Sequence, residues 1–172
     1  MYMQFSLDAV THLAVPASDP RLEPLLAALT ADYTQRYGAG GVREMSSFPA
    51  QEFQPPHGKF VILQYAGQTV AGGAYHRYDE RTAEIKRIWT HQDFRRRGLA
   101  SKTLAVLEDQ AAAQGYEGIY LSTGPYQPEA LALYLARGYR PLFDQHSDTT
   151  KLRDLAFTKP LPATADGETI VA

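Results

Sequence analysis

Residues 83–100, AEIKRIWTHQDFRRRGLA, decide how the rest of the chain is parsed. Ala83 to Thr90 carries Ile85, Ile88, Trp89 and Thr90 with charges interleaved, the composition of a strand. Asp93 is a turn residue that helps end it. Arg95-Arg96-Arg97-Gly98-Leu99-Ala100-Ser101 then opens a long amphipathic segment. The first turn of a helix leaves backbone N–H groups unpaired and carries partial positive charge from the aligned peptide dipoles. Gly98 removes a side chain where a ligand approaches the backbone, and three arginines stand beside it. A phosphate group suits that corner. The alternative for the same residues is a solvated helix start with no ligand.

Outward from this stretch the punctuation is regular. On the N-terminal side, Lys59–Tyr65 and Gln68–Tyr78 read as strands joined by a turn at Ala66-Gly67, so residues 59–90 form a three-stranded antiparallel meander. Gly72-Gly73 inside the second strand marks a bulge or a close backbone approach. On the C-terminal side, Leu99, Thr103, Leu104, Val106, Leu107 and Ala111 define a helix that Gly115 ends. Ile119–Thr123 follows as an apolar strand, and strand, helix, strand in this order implies a parallel crossover. Pro128 starts a helix over Glu129–Arg137 with Gly138 just past it, and Arg140–Asp144 and Leu152–Thr158 supply two more strands.

Near the N-terminus, Val10–Val15 reads as a first strand. Ser18 or Asp19 then caps a helix whose apolar stripe is Leu22, Leu25, Leu26, Leu29, Tyr33 and Tyr37, stopped by Gly38-Ala39-Gly40-Gly41. Residues 42–58, with Pro49, Pro55 and Pro56, read as an ordered loop with a short helix. That loop either covers the edge of the core or lends Arg43, Glu44, Phe48, Phe53 and Gln54 to a pocket. The sum is an α/β (α+β) domain: a mixed, mostly antiparallel sheet of six or seven strands, one parallel pair, and helices on both faces. Residues 1–160 form this single domain and 161–172 a flexible tail.

Composition narrows the function. A length of 172 residues suits one domain with a real core, and a net charge of −2 argues against a general nucleic-acid binder. Without cysteine there is no disulfide framework, thiolate metal site or cysteine nucleophile. The start MYMQFSLDAV lacks a secretion signal's basic and apolar regions, and no apolar run spans a bilayer, so a cytoplasmic location with no membrane partner is expected. The five histidines show no metal spacing, and His76 and His91 are expected to be structural.

Two segments carry a resemblance. Arg95-x-x-Gly98-x-Ala100 after its strand resembles the first motif of the GNAT superfamily of N-acetyltransferases. Ala130-Leu131-Ala132-Leu133-Tyr134 with Arg137-Gly138-Tyr139 is similar to a downstream segment of the same superfamily. The resemblance implies a parallel strand pair that splays apart to admit acetyl-CoA, the acetyl donor. Ile88, Trp89 and Thr90 would then meet the pantetheine arm, and the loop from Arg95, Arg96 and Arg97 through Gly98, Leu99, Ala100 and Ser101 would hold the pyrophosphate. Gln127 would take the place of a frequent asparagine contact, and Lys102 would reach a 3′-phosphate or else be a solvated lysine on the helix surface. Glu84 would be the general base, or else an ion pair with Lys86. Tyr134 would be the general acid, or else a core tyrosine. The acceptor would be a small primary amine acetylated directly in a ternary complex, in a pocket built from Arg43, Glu44, Phe53 and the segment from Tyr75 to Tyr78. Protein-lysine or N-terminal acetylation, or non-catalytic acyl-CoA sensing, are the alternatives. A homodimer is compatible with the resemblance.

Overall fold

The computed structural model describes residues 4–47 and 49–163. Seven strands form one sheet in the order β1-β2-β3-β4-β5-β7-β6. They are β1 (Thr11–Val15), β2 (Lys59–Tyr65), β3 (Gln68–Arg77), β4 (Thr82–Thr90), β5 (Gly118–Thr123), β6 (Arg140–Pro141) and β7 (Leu155–Pro160). Among the described residues only β4 and β5 pair in parallel, and the connection between them runs through α3 (Leu99–Ala113). Helices α1 (Glu23–Tyr37) and α2 (Ala39–Ser47) precede β2, and α4 (Pro128–Ala136) links β5 to β6. Among the described residues no helix is long and apolar enough to cross a membrane.

The sheet separates two apolar cores because strand side chains alternate between faces. Val61, Leu63, Tyr75, Ala83, Ile85 and Ile119 pack with Leu104 and Leu107 of α3. Phe60, Ile62, Ala74 and Trp89 pack with Leu25 and Leu29 of α1. Gly72 and Gly73 serve one face each. A Cβ on Gly72 would lie 2.8 Å from Leu25 Cδ1, and one on Gly73 would lie 2.8 Å from Ile88 Cδ1 and 2.9 Å from Leu107 Cδ1. The second glycine also faces a bulge. Gly72 pairs with Trp89 but Ala74 pairs with Lys86, so one β3 residue opposes two of β4, and Arg87 takes φ +64° to absorb the extra residue.

Three sequence expectations shift. The helix stops at Tyr37 as expected, with Gly38 at φ +55° capping it, but a second helix follows at once and Gly40 and Gly41 lie inside it. Gly41 is needed there because a side chain would run into the backbone carbonyl of Tyr33. The segment after α2 forms a short 3₁₀ turn, Ala50–Phe53. The sixth strand shrinks to two residues and the seventh starts three residues late, because residues 142–154 bulge away from the sheet after a last bond from Leu142 N to Ala156 O at 2.8 Å. Phe48 and most of the expected tail fall outside the described residues.

The tight seat of Gly73 makes a stability prediction. Gly73→Ala should lower the unfolding free energy by about 1–3 kcal/mol through overpacking. Gly118→Ala, whose Cβ meets only Lys159 O at 3.5 Å, should be close to neutral. Denaturant titration of both variants measures this, and equal midpoints would contradict it.

Candidate active site

The site begins where the parallel ladder stops. Pairing between β4 and β5 covers Thr82 with Gly118, Ala83 with Ile119, and Glu84 with Tyr120, and goes no further. Beyond that rung β5 stays paired to β7 as far as Thr123 with Leu155, while β4 bends at the Arg87 bulge and stays paired to β3. The strands therefore part, and Ile85 to Thr90 present to the opening an edge that β5 does not pair. Ile88 and Trp89 send their side chains into the cores on opposite faces, and Thr90 is half-buried. An extended ligand can add to such an edge as a strand does.

At the far end of the opening the chain turns into α3. Arg96 at φ +62° and Gly98 at φ +83° curl the loop, and Gly98 O accepts the first helical bond from Lys102 N at 3.0 Å. Buried Leu99 anchors the helix start. The amides of Leu99, Ala100 and Ser101 belong to the first turn and have no acceptor within the helix. Arg95, Arg96, Arg97 and Gly98 are exposed. A 15-residue helix, a left-handed glycine and guanidinium groups fit a diphosphate. Arg97 is also structural, with its guanidinium 5.0 Å from the Phe5 ring centre and 5.5 Å from that of Phe94. Lys102 is committed elsewhere: its ammonium donates to Leu7 O at 3.0 Å and Val10 O at 3.2 Å.

On the α1/α2 face, Glu84 is only 7% exposed at the last paired rung. Its partner is not Lys86. His76 Nε2 lies 2.8 Å from Glu84 Oε1, while Lys86 Nζ donates to Glu44 Oε1 on α2 at 2.6 Å. Glu44 Oε1 also lies 3.5 Å from Arg87 Nη1. Phe53 is fully buried and sets its ring edge-on to His76 at 5.3 Å, so it supports this pair and does not line a wall. Arg43 is exposed on α2, and Gln54 donates to the nearby Gln51 carbonyl at 3.3 Å. Tyr75 is not brought to this face. It is buried against α3, with its hydroxyl donating to Gln114 and its ring edge-on to Tyr116.

Tyr134 stands on α4 and belongs to the core on the α3 side of the sheet. It is 7% exposed and packs edge-on to Phe157 at 5.4 Å. Burial, with Tyr33 nearby, pushes its phenol well above the ordinary range, so it holds its proton. Gln127 is tied into its own turn: Oε1 accepts from Thr123 Oγ1 at 2.8 Å, Gly124 N at 3.3 Å and Tyr37 OH at 3.3 Å. These bonds hold α1 against the β5–α4 turn, and Arg36 reinforces them by donating to Tyr126 O at 2.6 Å.

Tyr33, near Tyr134, and Tyr120, opposite Glu84, are neighbours that sequence reasoning missed, whereas His76 lies in the Tyr75–Tyr78 segment expected at the pocket though its bond to Glu84 was not foreseen. Counting back across the hairpin turn at residues 79–81 places His76 opposite Glu84, which is the register observed. Tyr33 and Tyr120 required the tertiary arrangement.

The raised phenol has a consequence for stability. A tyrosine that holds its proton more tightly when folded stabilises the fold fully below its unfolded pKa, and that contribution is lost as pH rises above about 10. Melting temperature should therefore fall between pH 9 and pH 11 (roughly the onset of ordinary tyrosine ionisation), and Tyr134→Phe should fall less steeply. Parallel curves for the two proteins would contradict the buried placement of the hydroxyl.

Comparisons with known proteins agree with this arrangement. A protein of Klebsiella pneumoniae subsp. pneumoniae MGH 78578, provisionally described as an acyl-CoA N-acyltransferase, superposes with a TM-score of 0.70 at 24% identity, covering 89% of this chain and 98% of that one. A GNAT family acetyltransferase of Elizabethkingia anophelis, solved with acetyl-CoA bound, gives 0.66 at 18% identity over 90% and 99%. Both show likeness of fold. An uncharacterized N-acetyltransferase of Escherichia coli K12, YjgM, is 30% identical over 89 residues, 50% of this chain and 53% of its own, so the chain spans about half the length of that curated relative. The model of the Acetyltransferase (GNAT) family matches residues 22–139, from the start of α1 to just past α4, and the chain belongs to that family.

Proposed function

We propose that the protein transfers an acetyl group from acetyl-CoA directly to a primary amine of a small molecule, both bound at once. The observation that carries this is the position of Glu84: a buried carboxylate at the rung where β4 and β5 part. Acetyl-CoA, when bound, supplies a thioester already activated for attack. Everything else falls to residues of the chain.

An amine is protonated near neutral pH and has to lose a proton before it can attack. Glu84 takes that proton. His76 orients the carboxylate from one oxygen, and Phe53 fixes the imidazole from behind. The amide edge of Ile85–Thr90 holds the donor's extended arm, and the α3 start with Arg95 and Arg96 holds its phosphates. Tyr134 keeps its hydroxyl proton and delivers it toward the departing sulfur. Burial disfavours the phenolate and so keeps the tyrosine in its protonated form. Gln127 organises the turn beside the opening by its three internal bonds. Glu44 braces Lys86 and Arg87 at the bulge and so maintains the parting of the strands.

A small acceptor is favoured over a peptide by the wall that α1 builds. Tyr37 stacks on Tyr126 with ring centres 6.0 Å apart, and Arg36 Nη2 lies 3.1 Å from Glu129 Oε1. These contacts tie α1 to the β5–α4 turn and the start of α4, and this wall is our ground for preferring a small acceptor.

Glu84→Gln should lower kcat by about 10²-fold or more while leaving acetyl-CoA affinity nearly unchanged, and Tyr134→Phe should act in the same direction. Thiol release from acetyl-CoA across an amine panel measures turnover, and calorimetry measures affinity. Unchanged turnover in both variants would remove the acid and base assignments. Gly98→Glu, which sets a charge and a side chain at the helix start, should abolish acetyl-CoA binding in a protein whose circular dichroism is unaltered. Retained binding would count against the phosphate corner.

A further inference from the structure

Two tyrosines with no part in the chemistry above lie ring against ring beside Glu84. Tyr78 follows β3 and its N–H donates to Thr82 O at 3.0 Å, while Tyr120 stands on β5 opposite Glu84. Strand alternation puts His76, Tyr78, Thr82, Glu84 and Tyr120 on the same face of the sheet. The two rings lean toward each other over β4, with centres 4.4 Å apart and planes inclined by 20°. Tyr120 is half-buried, but Tyr78 is 55% exposed, one of few large apolar side chains so open to water. The stack therefore offers a flat face at the entrance to the base.

We propose that the Tyr78–Tyr120 stack is the acceptor platform, and that the acceptor is an arylalkylamine whose ring lies on the stack while its nitrogen reaches Glu84. The proposal rests on the acetyl-transfer reading for its direction but not for its geometry. Tyr120 is in register with Glu84 and Tyr78 lies one same-face step from His76, roughly 7 Å along the strand, so a ring on the stack is within reach of Glu84 through a short aminoalkyl arm. A third ring extends an offset stack, an arrangement that aromatic pairs favour beyond their buried area. Charge also fits. Glu84 and Asp154 both lie near Tyr120 and attract an ammonium group, and their presence with burial raises the Tyr120 pKa.

The test compares 2-phenylethylamine with 2-cyclohexylethylamine, equal in length and charge but not in aromaticity, by calorimetry on the protein saturated with CoA. The wild type should bind the aryl amine about fivefold more tightly. Tyr78→Ala should abolish that preference and Tyr78→Phe should keep it. In turnover assays the loss should appear in KM for the aryl amine and not in the Kd of acetyl-CoA. Equal or undetectable binding of the two amines, or a preference that survives Tyr78→Ala, overturns the platform. Preferential binding lost in Tyr78→Ala but without any CoA release would support the platform and sink the acetyl-transfer reading, so the two fail separately.

Discussion

The parallel ladder between β4 and β5 ends after three rungs, and the rest of the site depends on that interruption. A strand edge ordinarily gains by continuing its pairing, so something must oppose closure. Two features do. The extra residue at Arg87 bends β4 toward β3, where Gly73 leaves room for the bulge, and the Glu44 bridge to Lys86 and Arg87 ties the bent segment to α2. On the other side β5 is fully engaged with β7 along its length. The opening is thus built from commitments made elsewhere, and it leaves backbone hydrogen-bonding groups available to a ligand without exposing a sheet edge to other chains.

Charges in the trough are arranged in pairs between elements that are distant in sequence. Glu84 meets His76 across a hairpin, and Glu44 meets two cations across more than forty residues. A buried carboxylate without a partner would be costly, and each of these has one. The same pairing fixes geometry. With His76 held edge-on by Phe53, the carboxylate proposed as base has little freedom to turn away from the opening.

Much of the fold was legible because the relevant signals are local. The meander from Lys59 to Thr90, the α3 start at Gly98 and the crossover to β5 all follow from alternation, periodicity and glycine placement. What escaped was non-local. The glycines after Tyr37 do end α1, but they hide the start of α2, where Gly41 is needed because the helix packs on the Tyr33 carbonyl. Tyr75 belongs to the segment expected at the pocket, but a one-residue step along a strand changes the face, and it faces α3. Glu84 and Lys86 share a face as alternation requires, yet each bonds to a different element. Lys102, a helix-surface lysine in the sequence, is occupied by the carbonyls of the turn ahead of β1.

The central claim is that acetyl-CoA occupies the parted strands and the α3 corner together. Hydrogen–deuterium exchange followed amide by amide, with and without acetyl-CoA, tests it most directly. The account predicts new protection in two separated segments, residues 85–90 of β4 and residues 96–101 at the helix start, with little change along β1 and β2. Protection confined to other parts of the chain, or none in either segment at saturating acetyl-CoA, would contradict it.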